Sequence, residues 1–141
     1  MRRSEHIDRL LAKAAQDEYV LDRLVRDDQA PIEVFGFHAQ QAAEKILKAL
    51  LSAVGVHYPR THRIAELLDL LRQNGMAVPE RFEELRFLTP FAVEFRYDVG
   101  PDDDDAGLDK VGIRRAILDL REWVERALTE SGGEQRRCND L

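Results

Sequence analysis

Between residues 32 and 54 the apolar side chains of Phe35, Ala39, Ala42, Ile46, Ala49 and Ala53 recur at spacings of 4, 3, 4, 3 and 4. That is the period of one helix face, whereas a strand would alternate by two. Leu47, Leu50 and Val54 widen the stripe, and its alanines let another helix approach closely. Gly55 is placed to stop the helix. A helix with so broad an apolar face must be covered by other elements, and three further segments have the right pattern.

Residues 4–26 carry Ile7, Leu11, Ala14, Leu21 and Val25 on one face, with Ser4 as N-cap and Pro31 beyond the end. A shorter helix follows Thr61, a possible cap, with Ile64, Leu67, Leu68 and Leu71 as its face and Asn74-Gly75 as its end. Ile64 stands where a capping box starting at Thr61 would need Glu or Gln. The last helix spans about residues 108–130, where Ile113, Ile117, Leu120, Val124 and Ala127 step by 4, 3, 4 and 3 beside Trp123. The acids 102–105 precede it, at the end where the helix dipole favours negative charge.

Residues 79–97 read two ways. Phe82, Leu85 and Leu88 suit a helix. Phe91, Val93, Phe95, Tyr97 and Val99 alternate as a strand would. Phe87, Phe91 and Phe95 also stand at i, i+4 spacing, with Thr89-Pro90 as a cap and first-turn pair. Helix is the better reading, because a strand needs a partner and the chain offers no second candidate. The expected fold is all-α: an up-and-down antiparallel bundle of four to five helices over residues 4–130, with a polar, disordered tail over 131–141.

Composition bounds the function. The 141 residues are 44% apolar and 34% charged, enough for one domain with its own core. A single cysteine, Cys138, rules out an intrachain disulfide and suggests a reducing compartment. The longest nearly apolar stretch, 49–56, falls far short of the roughly 20 residues of a membrane span. The first residues turn polar at once, with no secretion core. A cytoplasmic protein without membrane contact is expected. The net charge of −6 disfavours whole-surface binding to nucleic acid and leaves room for a local basic pocket.

On the second helix His38, Gln41, Lys45 and Lys48 follow one another opposite the alanine stripe, either as a solvated face or as the wall of a ligand groove. The segment containing Arg60, His62 and Arg63 surrounds a helix start, where free N–H groups and the dipole suit phosphate; an ordinary capped start is the alternative. Arg96 suits phosphate and Tyr97 a stacked base, unless Arg96 pairs with an acid such as Glu44. His57 and His62 have no zinc-like spacing, and the acids 102–105 do not form a calcium loop, so no metal or cofactor is expected. No nucleophile elbow, glycine-rich phosphate loop or zinc-protease motif occurs.

The run Gln40-Gln41-Ala42-Ala43-Glu44-Lys45, continued by Lys48-Ala49-Leu50-Leu51, resembles the opening signature of HEPN domains. So do Pro59-Arg60-Thr61-His62 before a leucine-rich turn, the Leu85–Leu88 stretch, Arg96-Tyr97, and a final helix with Glu122-Trp123-Val124. The resemblance implies a helical bundle that forms homodimers and is paired with a minimal nucleotidyltransferase in a toxin–antitoxin-like module. It implies nucleotide binding, for which Lys45, Lys48, Arg60, His62, Arg96 and Tyr97 are the candidate contacts, with nucleotide or RNA as ligand. Several branches of the family are metal-independent ribonucleases whose site is an arginine, four to six residues, then a histidine. Here that window after Arg96 holds Pro101, Asp102 and Asp103, so the general acid or base for RNA cleavage is missing there and no catalytic residue is assigned. Three functions follow: a nucleotide-binding accessory protein, a ribonuclease with a non-standard site such as His62 with Arg96, and a non-catalytic dimeric interaction module.

Overall fold

Ser4 accepts a hydrogen bond from the Ile7 N–H at 3.2 Å, capping the first helix, α1 (Glu5–Leu24). The computed structural model describes residues 4–92 and 108–139, with side chains as far as residue 130. α2 (Ile32–Ala53), α3 (Ile64–Gln73), a 3₁₀ segment (Glu80–Ala92) and α4 (Lys110–Asn139) complete the chain, and no strand occurs among the described residues.

α2 is the axis of the bundle and packs against every other element. Phe35, Ala39, Ala42, Ile46 and Ala49 are fully buried, as the stripe requires, together with Ala43, Leu47 and Leu51. Burying a large side chain such as Phe35 or Leu47 contributes roughly 1.5–3 kcal/mol. α1 runs antiparallel to α2, since Asp17 meets His38 and Lys45 while His6 shares a cavity with Ser52. α4 is likewise antiparallel to α1: Arg114 reaches Asp22 and Arg121 reaches the Leu11 carbonyl.

Two glycines end helices as their positions suggest. Gly55 has φ +75° and Gly75 φ +89°, a backbone region that costs glycine little. After each, a hydrogen bond reaches back into the last turn, from Val56 N–H to Leu51 O and from Met76 N–H to Leu71 O.

Three expectations need correction. Thr61 is not the cap of α3: Arg63 occupies that position without a side-chain bond, while the Thr61 hydroxyl accepts from Arg63 N–H and donates to Glu66. The stretch expected as α-helix over 79–97 is 3₁₀ as far as Ala92. Three residues per turn put Phe82, Leu85 and Leu88 on one buried row, with Phe91 partly buried next in it. That period turns Phe87 away, 71% exposed, instead of stacking it above Phe91. Thr89-Pro90 lies inside this run and opens no new helix; the Thr89 hydroxyl instead faces the Ile64 N–H at 3.4 Å. Phe91 packs so near α2 that a Cβ on Gly36 would clash with its ring. Finally, α4 runs through Gly132-Gly133 to Asn139, past the helix end at about residue 130 that its apolar pattern suggests. Asp109 caps it, accepting from Gly112 N–H at 2.9 Å. The acids 102–105 and most of the strand-like alternation lie outside the described residues.

Candidate functional site

The polar face of α2 is not a solvated one. Its side chains are held by two carboxylates that the bundle buries. Asp17 on α1 is 7% exposed and receives His38 Nδ1 at 2.9 Å and Lys45 Nζ at 2.6 Å. Glu44 on α2 is 4% exposed and receives Lys48 Nζ at 2.6 Å and His62 Nδ1 at 3.1 Å. A buried carboxylate without such partners would cost several kcal/mol, so both clusters are fixed by the need to neutralise it.

Glu44 also organises the connection between α2 and α3. Gln40, fully buried one turn earlier, donates from Nε2 to the His62 carbonyl at 2.6 Å and to Glu44 at 3.4 Å. Among the described residues the Gln40 Oε1 atom has no hydrogen-bond partner, a cost this anchoring carries. A carboxylate only accepts, so His62 Nδ1 bears the hydrogen and Nε2 is left as the ring's other polar atom. The His62 side chain is 64% exposed, which presents its ring to solvent on a buried, fixed base. Lys48 Nζ stands 5.6 Å from the centre of the Tyr58 ring, tying that aromatic to the same carboxylate.

Of the residues expected to contact a ligand, Lys48 and His62 are thus brought together on Glu44. Lys45 belongs to the Asp17 cluster. Arg60, two residues before His62, is exposed and has no hydrogen-bond or charged partner among the described residues. Arg96 and Tyr97 lie outside the described residues, and Glu44 is occupied by Lys48, His62 and Gln40.

Asp17 and Glu18 are the residues that sequence reasoning passed over. The α1 stripe steps from Ala14 to Leu21, and the gap falls where these two acids stand. Glu18, 5% exposed, takes Arg121 Nε at 2.6 Å and Arg114 Nη1 at 3.3 Å, joining α1 to α4 on the side away from the Asp17 contacts. Arg114 is held further above its ordinary pKa by its hydrogen bond to Asp22, against the opposing effect of burial. On the opposite edge of α4, the Arg81 hydrogen bond holds the Asp119 carboxyl below its ordinary range.

Among the described residues no three His, Cys, Asp or Glu side chains converge as metal ligands would, and no helix is long and apolar enough to cross a membrane. The comparison that decides the family is a match to the HEPN domain profile over residues 7–129, nearly the whole chain. The chain belongs to the HEPN family. No curated protein matches it, and no solved structure does. In this HEPN protein the family match covers α1, α2, α3, the 3₁₀ segment and most of α4, so both carboxylate clusters belong to the domain itself.

Proposed function

We propose that this HEPN protein is a nucleotide-binding, non-catalytic partner of a minimal nucleotidyltransferase. It acts as a cytoplasmic homodimer in a two-component, toxin–antitoxin-like module and presents a nucleotide or an RNA end. The observation that carries the nucleotide part is the placing on one connection of a guanidinium without a partner among the described residues, Arg60, and an imidazole, His62, whose ring is fixed by buried Glu44. Arginine binds phosphate oxygens in pairs, and a pre-oriented imidazole loses little freedom when it joins them. Arg63, at the uncapped start of α3, adds a third cation nearby.

A protein partner is supported by the surface around exposed Phe87. An apolar cavity of about 430 Å³ there is lined by Leu85, Leu88, Leu108, Ile113 and Ala116. Co-purification with a minimal nucleotidyltransferase tests that part.

For the nucleotide, millimolar ATP raises the melting temperature of the purified protein, as any ligand of the native state does. Arg60→Ala abolishes most of the rise. No rise at millimolar ATP refutes the reading.

One observation favours a second reading. Glu44 holds His62 as a carboxylate holds a general base, with Nε2 toward solvent, so a ribonuclease centred on His62 is its natural form. RNA cleavage in the presence of chelator, lost in His62→Ala, is its signature.

A further inference from the structure

A second polar feature adjoins the Glu44 cluster at Tyr58, and its other lining residues take no part in either carboxylate cluster. Where the beginning of α1 meets the end of α2, a cavity of about 380 Å³ is lined by His6, Ser52, Gly55, Val56, His57 and Tyr58. Neither imidazole has a hydrogen-bond or charged partner among the described residues. Among the described residues the lining contains no acid, lysine or arginine, so they do not supply the charge a phosphate seeks. It offers aromatic faces from Tyr58 and two imidazoles, and edge groups from imidazole and serine that both donate and accept. Those are the requirements of a planar heterocycle with mixed polar edges.

We propose that this cavity holds the base of a nucleotide whose phosphates lie on Arg60 and His62. The proposal rests on the phosphate reading above and adds where the rest of the ligand goes. Tyr58 joins the two halves. It lines the cavity, and Lys48 beside its ring bonds to Glu44, which in turn fixes His62. Arg60 follows Tyr58 by two residues, within about 7 Å of chain, so a ligand stacked at Tyr58 reaches the guanidinium through its sugar and first phosphates. Stacking on an aromatic ring tolerates any base, while Ser52 and the two histidines are placed to read its edge.

Isothermal titration of the full chain with ATP and, separately, with inorganic tripolyphosphate tests this. Wild type binds ATP about tenfold or more tightly than tripolyphosphate, the effect of one stacked base. Tyr58→Leu erases that preference and leaves tripolyphosphate binding intact. His57→Ala, at an exposed position that the core does not need, lowers the preference in the same direction and guards against a folding defect in the tyrosine variant. Arg60→Ala weakens both ligands. Equal binding of ATP and tripolyphosphate by wild type overturns the base site while leaving the phosphate reading standing. An ATP preference that survives in both Tyr58→Leu and His57→Ala places the base elsewhere and overturns it too. Failure of wild type to bind either ligand overturns both readings.

Discussion

Removing Glu44 is the perturbation that best exposes how the site is held. In Glu44→Ala the Lys48 ammonium, with a side chain only 16% exposed, loses its carboxylate, and His62 loses its anchor. Breaking a buried ion pair by deleting one partner costs about 3–5 kcal/mol. Lys48 and especially His62 can turn toward water, so the low end, about 3 kcal/mol, is expected here. That is a large share of the roughly 5–15 kcal/mol that holds a domain folded. Lys48→Met strands the carboxylate instead and costs a similar amount. The double variant Glu44→Ala/Lys48→Met removes both charges, so it costs less than the sum of the two single changes. Urea denaturation of the four proteins gives the coupling directly. A cost below about 1 kcal/mol for Glu44→Ala, with no coupling to Lys48, would show the pair to be solvated and refute the argument that burial fixes it.

Two further outcomes follow from the packing. Gly36→Ala sets a Cβ against the Phe91 ring and destabilises the protein by about 1–3 kcal/mol in urea, and the penalty disappears when it is made in a Phe91→Ala background. The Asp119 carboxyl, lowered from 3.8 by its hydrogen bond to Arg81, contributes stability that is complete above that value and is lost as pH falls through the lower folded-state pKa. Arg81→Ala therefore flattens the loss of stability on acidification below about pH 4, measured as urea midpoints at successive pH values.

What could be read ahead of the structure was local. The period of α2, the Ser4 cap and the stops at Gly55 and Gly75 depend on residues within a turn or two of each other, and all appear as read. The 3₁₀ segment was harder, because over thirteen residues a period of 3 and one of 3.6 share most of their apolar positions. Only the placement of Phe87 separates them. The site was half legible. His62 and Lys48 stand out by their chemistry, but the sequence offers Glu44 as a partner for Arg96 and not as their common anchor. Asp17 and Glu18 were overlooked because an acid on a helix is usually solvated. Their burial is decided by Lys45, Arg114 and Arg121, which are distant in sequence. The gap between Ala14 and Leu21 was the one local sign.

The central claim is that a carboxylate-anchored His62 and an exposed Arg60 form the phosphate-binding part of this HEPN domain. Titrating ATP into the ¹⁵N-labelled protein while following its imidazole and guanidinium resonances by NMR tests it most directly. Saturable shifts at His62 and Arg60, with His38 unmoved on Asp17, are the predicted result. Saturable binding that leaves His62 and Arg60 unshifted, or no shift anywhere at millimolar ATP, contradicts it.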